Sequence, residues 1–371
     1  MQPHPCRVML CYWGRRGALT QFTLEAGRAA RVDANIRATI SVSRQNEAFP
    51  AFEGFGDTLF PINTFKSNLG VASQASRIPL IRRALFKRLQ SDRIEVLIEL
   101  MPHVWSPFIM PVSHRAGVRY ATIIHDAHPH PGDYTSVVKR FLDWPIRSAD
   151  VIFTLSRAAA EPLLAAGVPQ SKVFTLFHPH LRYGKVEHAR IPNAPLRLLF
   201  FGRIMPYKGL PLFLDAVELL RQQGTPIAIG VFGEGSLGSS AQRLARLGAE
   251  VVNRWLADDE IAKVLSRFDA VVCSHIEASQ SGVVATAHGA GLPVVATPVG
   301  GLIEQIHDGI TGVIALRPDG PALAEAIKRL LNIRFYQTIC DGIQETVANR
   351  SMSRFLEEIV SKALGTERRS Q

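Results

Sequence analysis

Residues 196–220 read LRLLFFGRIMPYKGLPLFLDAVELL and decide the fold. The first part is a short apolar run, typical of a buried strand of a parallel sheet. Gly202 and the proline-bearing turn end that run. Pro211 then opens a segment with apolar residues at three- and four-residue spacing, which predicts an amphipathic helix. The stretch is therefore one strand–turn–helix unit of an α/β protein.

The same alternation recurs along the chain. Short apolar runs predict strands in the N-terminal half at 7–13, 95–100, 120–126, 149–156 and 172–177, and in the C-terminal half at 226–233, 249–253, 270–274, 293–297 and 312–316. Helical patterns lie between or beside them, and a polar, proline-bearing stretch from Gly184 to Pro195 is predicted to be a linker. We therefore predict two tandem Rossmann-like domains, at 1–185 and 196–349. Residues 350–371 are predicted to form a helix that packs back on the first domain, followed by a frayed tail.

Composition limits the class of protein. The chain has 371 residues, 47% of them hydrophobic, which is enough for two buried cores. It has no run of about twenty apolar residues, so no spanning helix is expected. The four scattered cysteines predict reduced thiols and a cytoplasmic protein. The net charge of +10 suggests an anionic partner, either a nucleic acid, a membrane surface or a phosphate-bearing substrate. Nucleic acid is disfavoured because the basic residues lack interleaved aromatics and any known binding module.

Two glycine-bearing loops of the C-terminal half are candidates for a phosphate site. Arg203 and Lys208 lie on the turn before a predicted helix, where two cations and backbone N–H groups would hold a diphosphate. The alternative is a pair of solvated loop cations. The loop VFGEGSLG carries Gly233 and Gly235, whose backbone would allow a ligand to approach closely, although an ordinary turn explains them equally well.

A third candidate is the stretch EASQSGVVATAHGAGLPVVA, which begins at Glu277. It has few reactive side chains, but the backbone N–H groups of Ser281, Gly282 and Val283 would point out of a helix N-terminus, where phosphate needs no side chain. Glu277 either accepts hydrogen bonds from sugar hydroxyls or is a loop acid or helix cap. The residues alone leave both interpretations open.

Two candidates lie in the N-terminal half. The glycine turn YWGRRGAL follows the first strand, and the loop IIHDAHPHPGD places His125 with Asp126, His128 and His130 just past another strand. A cluster of histidines and acids raises the question of a metal, but the ligands lack the spacing of a helical site. A histidine that hydrogen-bonds a neutral substrate is favoured, and a loop histidine without a role is the third alternative. The chain has neither a nucleophile elbow nor a Walker loop.

One predicted helix is strongly basic. The segment IPLIRRALFKRLQ carries Arg82, Arg83, Lys87 and Arg88, with Ile81, Leu85, Phe86 and Leu89 on the other side. The first interpretation is a solvated helix face. The second is that this helix lies on an anionic bilayer and brings the protein to a lipid-linked acceptor.

In combination, three segments resemble family 4 of the retaining glycosyltransferases, which have the two-Rossmann GT-B fold. These are FFGRIMPYKGLPLFLDAVELL, VFGEGSLG and HIEASQSGVVATAHGAGLPVVATPVGGLIEQIHDGITGVI. The resemblance covers most of the C-terminal half and extends more loosely to the N-terminal half. It implies a central cleft, a nucleotide-sugar donor on the C-terminal domain and a glycan or lipid-linked acceptor on the N-terminal domain. It also implies a role in polysaccharide or glycolipid biosynthesis. Together with the basic helix and the reduced cysteines, it predicts a protein at the cytoplasmic membrane face.

The resemblance also implies a role for each candidate residue. Arg203 and Lys208 would bind the diphosphate and stabilise the leaving group, Glu277 would hold the donor sugar, and His125 would contact that sugar from the other domain. The remaining donor-binding candidates are Gly14, Gly17, Gly202, Gly233, Gly235, Gln280, Ser281, Gly282, Val283 and Thr286. No metal and no cofactor is expected beyond the nucleotide sugar, and the two cations would replace a divalent ion.

One position departs from the family pattern. Where a second acid commonly binds the ribose, this chain has Thr286. Two alternatives accompany the transferase hypothesis, one from the shared architecture and one from the missing acid. The chain could be a nucleotide-sugar 2-epimerase of the same architecture, or a non-catalytic subunit that binds nucleotide sugars.

Overall fold

A computed structural model describes residues 4–67, 69–126, 143–184 and 195–365. The chain divides into two compact units. Of the described residues, unit 1 contains 4–177 and 352–365, and unit 2 contains 178–351. Most of the predicted linker, together with His128 and His130, lies outside the described residues.

Unit 1 is built on a seven-stranded sheet in the order β3-β2-β1-β4-β5-β6-β7. Every strand pair is parallel. The strands are β1 Cys6–Tyr12, β2 Ile36–Ser43, β3 Leu59–Ile62, β4 Val96–Glu99, β5 Arg119–Ile123, β6 Val151–Thr154 and β7 Val173–Thr175. Strands β1 and β4 are buried along most of their length because helices cover both faces of the sheet.

The helices of unit 1 lie between these strands. They are α1 Ala18–Val32, α2 Phe49–Glu53, α3 Gly70–Ser73, α4 Ile78–Ser91, α5 Ser106–Ile109, α6 Pro111–Arg115 and α7 Arg157–Ala165. Single 3-10 turns occur at Gly56–Thr58, Ala75–Arg77 and Gln170–Lys172. Among the described residues, no helix is both long and apolar enough to cross a membrane.

Unit 2 has a six-stranded parallel sheet in the order β10-β9-β8-β11-β12-β13. Its strands are β8 Leu196–Phe201, β9 Ile227–Phe232, β10 Glu250–Val252, β11 Ala270–Cys273, β12 Val294–Ala296 and β13 Gly312–Ile314. Its helices are α8 Leu210–Gln222, α9 Ser240–Arg246, α10 Asp258–Leu265, α11 Gly282–Gly289, α12 Leu302–Gln305, α13 Gly320–Arg329 and α14 Ile333–Thr346. A 3-10 turn, Pro206–Lys208, precedes α8. The predicted fold class, two α/β domains with parallel sheets, is confirmed.

The last helix, α15 Met352–Leu364, belongs to unit 1 and packs against α1. Phe355 meets the ring of Phe22 edge-on, with ring centroids 5.3 Å apart. The first unit ends at Phe177, earlier than the predicted boundary at 185, because the following residues hydrogen-bond within unit 2. The N–H of Leu181, for example, donates to the carbonyl of Ala285 at 3.0 Å.

Candidate functional site

The loop after β8 places two of the predicted cations. Gly202 follows the strand with a φ of 94°, a left-handed conformation that favours glycine. Arg203 is exposed in this loop, and Lys208 is half-buried at the end of the 3-10 turn. Gly209 then adopts a φ of 67° and leads directly into α8. The chain therefore reverses sharply between strand and helix, with a cation at each end of the turn.

Gly202, Lys208 and Val283 meet in space. A Cβ added at Gly202 would lie 3.3 Å from Lys208 Nζ and 3.2 Å from Val283 Cγ2. Both contacts are tighter than most real Cβ contacts. The ammonium of Lys208 therefore lies beside the first turn of α11, although 75 positions separate the two residues in sequence (283 − 208). The structure thus brings two of the candidate segments together.

The third segment, the glycine loop after β9, is pressed against the same turn. The N–H of Gly202 donates to the Phe232 carbonyl at 2.9 Å, and the N–H of Ile204 donates to the Glu234 carbonyl at 2.8 Å. A side chain at Gly233 or Gly235 would collide with the carbonyl of Gly202 or Ile204, respectively. These two glycines therefore allow the loops to approach each other, whatever further role they have toward a ligand.

The loop after β11 is tied to the Lys208 turn. Ser274 Oγ donates to the carbonyls of Lys208 and Gly209, at 3.1 and 2.9 Å. The N–H of Ile276 donates to the Tyr207 carbonyl at 2.7 Å. Glu277 follows and is exposed. Its carboxylate lies on a loop whose backbone is fixed, which is the arrangement required of a group that orients a substrate hydroxyl.

Of the three backbone N–H donors expected at the N-terminus of α11, one already has a partner in the protein. The N–H of Ser281 donates to Gln305 Oε1 at 2.7 Å, and Gln305 Nε2 donates back to the Ser281 carbonyl at 3.1 Å. The Ser281 amide is thus occupied by the protein itself. Within the described part of the chain, the amides of Gly282 and Val283 have no acceptor outside the helix. They are the donors that this helix end offers to an anion.

Gln280 and Thr286 have different surroundings. Gln280 is half-buried, and no described residue hydrogen-bonds its buried Oε1 atom, which is an acceptor suited to a ligand hydroxyl. Thr286 lies inside α11 and is only 2% exposed. It therefore presents almost no surface at the position where the resemblance places a ribose contact.

Cys273 lies at the end of β11, among these residues, and is fully buried. Burial raises the pKa of its thiol to about 12, while the positive charge of Lys208 and a hydrogen bond with Ser281 act in the opposite direction. The thiol therefore stays protonated at neutral pH. It packs in the site and is not a nucleophile.

In unit 1, the first loop holds Gly14 and Gly17. A side chain at Gly14 would collide with the ring of Tyr12, and the carbonyl of Gly14 accepts from Asn46 Nδ2 at 2.9 Å. Gly17 precedes α1 with a φ of 110°. The tight turn predicted from YWGRRGAL is present, with Gly14 required by the Tyr12 side chain and Gly17 by its backbone conformation.

His125 lies just past β5 and is half-buried. Its Nε2 is 2.8 Å from the Leu100 carbonyl, an acceptor that requires this nitrogen to carry the proton. Burial lowers the pKa of His125, opposed by the hydrogen bond to Leu100 and the charge of Asp126. The imidazole is therefore neutral at pH 7, and its Nδ1 is an acceptor. Such a group can accept a hydrogen bond from a neutral substrate.

Two residues with notable hydrogen bonds are not marked by any sequence motif. Gln305 binds both backbone groups of Ser281, but its one-turn helix is too short to show a periodic pattern. Glu99 is fully buried at the end of β4, where Ser106 Oγ and Tyr120 Oη donate to it, the latter at 2.5 Å. Burial raises the pKa of Glu99 to about 7, against the hydrogen bonds that favour the ionised form.

In the described ranges, no group of three His, Cys, Asp or Glu side chains is placed to hold a metal ion.

Part of the chain is similar to a known protein family. Residues 195–332 match the family described as glycosyl transferases group 1. This similarity covers most of unit 2. The matched range contains the Lys208 turn, the loop after β9 and the whole of α11.

Curated relatives extend the comparison over more of the chain. Glycogen synthase from Mycobacterium tuberculosis (strain CDC 1551 / Oshkosh) is 28% identical over 296 residues, which cover 72% of this chain and 69% of the relative. The 2-deoxystreptamine glucosyltransferase of Streptomyces kanamyceticus is 25% identical, covering 67% and 70%. The D-inositol 3-phosphate glycosyltransferase of Nocardioides sp. (strain ATCC BAA-499 / JS614) is 31% identical, covering 46% and 42%.

Solved structures match the complete fold. Anabaena Alr3699/HepE, solved in complex with UDP and glucose, superposes with a TM-score of 0.72 at 16% identity, covering 98% of this chain and all of that one. A glycosyltransferase from Rickettsia africae ESF-5 superposes with a TM-score of 0.72 at 15% identity, covering 99% and 100%. The chain therefore has the GT-B fold that the sequence predicted.

Proposed function

We propose that this GT-B protein is a retaining glycosyltransferase that moves a sugar from a nucleotide diphosphate sugar to a glycan or lipid-linked acceptor. The observation that carries the proposal is the contact between Gly202, Lys208 and the first turn of α11. It places an ammonium group beside helix amides that have no other acceptor among the described residues. Two positive elements at one point are suited to a diphosphate.

In the proposed reaction, the bond between the sugar C1 and the β-phosphate oxygen breaks. Negative charge then develops on the leaving nucleotide diphosphate, next to Lys208 and Arg203, where it is stabilised. Glu277 orients the donor sugar, and the acceptor hydroxyl attacks C1 from the face that the phosphate leaves. The departing phosphate takes the hydroxyl proton, so no protein nucleophile is required.

The donor is proposed to bind to unit 2, with the diphosphate on Lys208, Arg203 and the amides of Gly282 and Val283. The free Oε1 acceptor of Gln280 would take a hydroxyl of the donor. In unit 1, His125 is neutral and has an acceptor nitrogen, which is suited to a hydrogen bond from a sugar hydroxyl. Uridine is the base to test first, because Anabaena Alr3699/HepE has been solved with UDP-glucose.

A membrane location is proposed from helix α4. Its inner face buries Ile81, Leu85 and Leu89, whereas Leu80 is 71% exposed and shares the outer face with Arg83 and Lys87. An exposed apolar side chain next to two exposed cations suits the headgroup region of an anionic bilayer. We propose that unit 1 binds the cytoplasmic membrane face in this way, in the synthesis of a polysaccharide or glycolipid.

A donor screen tests the proposed function. The full chain is incubated with UDP-, GDP- and ADP-sugars, and released nucleotide diphosphate is measured with and without EDTA. We expect release from at least one donor, unchanged by EDTA, because Arg203 and Lys208 replace the divalent ion. Product NMR would show the anomeric configuration of the donor retained in the transferred sugar. Binding without release would instead indicate a non-catalytic subunit, and a C2-inverted sugar would indicate an epimerase.

A further inference from the structure

Three cations occur on neighbouring loops at the carboxyl edge of the first sheet, one of them in the turn that contains Gly14 and Gly17. Arg15 follows β1, Arg44 follows β2 and Lys66 follows β3, in three adjacent strands of the order β3-β2-β1. The carboxyl edge of a parallel sheet is where α/β proteins bind their ligands. We call Arg15, Arg44 and Lys66 the basic rim.

Direct hydrogen bonds fix the loops that carry the basic rim. Arg15 Nη1 donates to the Lys66 carbonyl, which joins the first loop to the third. The N–H of Glu47 donates to the Arg15 carbonyl at 2.8 Å, and the N–H of Arg44 donates to the Ile62 carbonyl at 2.8 Å. The three loops are therefore joined to one another at this edge of the sheet.

Side-chain bonds strengthen this assembly. Asn46 Nδ2 donates to the Gly14 carbonyl at 2.9 Å, and the N–H of Thr64 donates to Gln45 Oε1 at 2.6 Å. The Arg44 guanidinium lies 5.4 Å from the centroid of the Phe49 ring, a cation–π contact. Loops with this many internal bonds lose little conformational freedom when they bind a ligand.

The charge of the basic rim is not neutralised. Across the part of the chain that the structure describes, Arg15, Arg44 and Lys66 form no ion pair with a carboxylate. Arg15 uses one of its five N–H donors on Lys66, which leaves the others for a ligand. The loop segments 14–17, 44–48 and 63–67 together contain one acidic residue, Glu47. The helix α1, which begins at Ala18, adds the positive end of its dipole.

We propose that the basic rim binds a phosphate group carried by the acceptor. That the phosphate belongs to an acceptor rests on the proposed transferase function, in which unit 2 binds the donor. Two guanidinium groups and an ammonium suit the oxygens of a phosphate better than neutral sugar hydroxyls, which need both donors and acceptors. The phosphate belongs either to a soluble sugar phosphate or to a lipid phosphate.

Calorimetry with glucose 1-phosphate tests the proposal, with glucose as the uncharged counterpart. The full chain is first saturated with UDP, so that the candidate donor site is filled. We expect glucose 1-phosphate to bind at least tenfold more tightly than glucose. Arg15→Gln and Lys66→Gln should each weaken this binding about tenfold, the effect of one charge-assisted hydrogen bond. The control is Arg37→Gln, exposed near the amino end of β2, which should leave it unchanged.

A second arm distinguishes the source of the phosphate. Phosphatidylcholine vesicles with and without phosphatidic acid are sedimented with the wild-type chain and the same variants. Binding that requires phosphatidic acid, Arg15 and Lys66 supports a lipid phosphate, even where glucose 1-phosphate does not bind. The proposal is overturned if neither probe binds, or if both variants bind as well as the wild type. If UDP does not bind, the proposed function fails. The rim is then tested separately, by titrating glucose 1-phosphate into the Lys208→Ala protein without UDP.

Discussion

Gly202 and Lys208 approach so closely that a single added methyl group at Gly202 would lie 3.3 Å from the lysine Nζ. The glycine also has a φ of 94°, which an L side chain rarely adopts. A side chain at the end of β8 would therefore crowd the ammonium in the position that it occupies. That position is beside Val283 and the N-terminus of α11.

The first prediction concerns Gly202→Ala. We expect turnover to fall at least tenfold, because the methyl group displaces Lys208 Nζ, and the free energy of unfolding to fall by about 1–2 kcal/mol from backbone strain. Nucleotide release and thermal denaturation measure the two effects. Gly224→Ala is the matched control, since its φ is 75° and a Cβ there meets nothing within 4 Å. It should cost similar stability and leave turnover intact; equal turnover in both variants would refute the steric account.

The second prediction concerns Gln305→Met, which removes both hydrogen bonds to Ser281 and keeps the side-chain volume. We expect donor KM to rise about tenfold, with a smaller change in kcat, because the first turn of α11 loses the partner that fixes it. Initial-rate kinetics measure both constants. Gln337→Met, on an exposed position of α14, is the control. An unchanged KM would show that α11 holds its geometry without Gln305.

The third prediction is a pH dependence of stability. His288 is 3% exposed and donates to the Thr311 carbonyl at 2.9 Å. Burial lowers its pKa to about 4, despite that bond, and burial also lowers the pKa of the neighbouring His180 to about 3. An unfolded histidine takes up a proton near pH 6.5, whereas the folded His288 does so only near pH 4. Stability is therefore complete above pH 6.5 and is lost as the pH falls toward 4.

Chemical denaturation between pH 4.5 and pH 8 measures this dependence. Below pH 6, His288→Gln should reduce the slope of the unfolding free energy against pH by up to about 1.4 kcal/mol per pH unit, the value for one proton. Above pH 7, the wild type and the variant should differ by a constant offset. Parallel curves over the whole range would contradict the assignment.

The fourth prediction tests the outer face of α4. Leu80→Ser with Arg83→Glu and Lys87→Glu should abolish sedimentation with vesicles containing phosphatidylglycerol, since the helix loses its apolar anchor and two charges. Leu316→Ser is the control, because Leu316 is 90% exposed and lies in unit 2. Equal sedimentation of both variants would show that α4 is only a solvated helix face.

The sequence predicted the alternating architecture because most strands are continuous apolar runs. It did not predict β2 or β3. The β2 strand, IRATISVS, alternates polar with apolar residues, and β3, LFPI, contains Pro61. Pro61 is tolerated because β3 is the edge of the sheet, a property of topology that the local sequence does not carry.

The sequence predicted which loops carry the candidate site, but not the hydrogen-bond partners or the burial of their residues. Arg203, Lys208 and Glu277 follow strands whose carboxyl ends share one edge of the sheet, and this topology brings their loops together. The exchange of two hydrogen bonds between Ser281 and Gln305 depends on how a one-turn helix packs, which spacing does not reveal. The buried environment of Thr286 likewise follows from packing, because its helix presents small residues to its surroundings on more than one side.

The most direct test of the central claim is the turnover of Lys208→Ala with the donor found in the screen. The account predicts that kcat for nucleotide release falls roughly 100-fold, the usual cost of removing a group that stabilises developing charge. Thermal stability should stay close to that of the wild type, and Lys263→Ala, an exposed lysine on α10, should keep full activity. A Lys208→Ala protein that turns over at the wild-type rate would contradict the account.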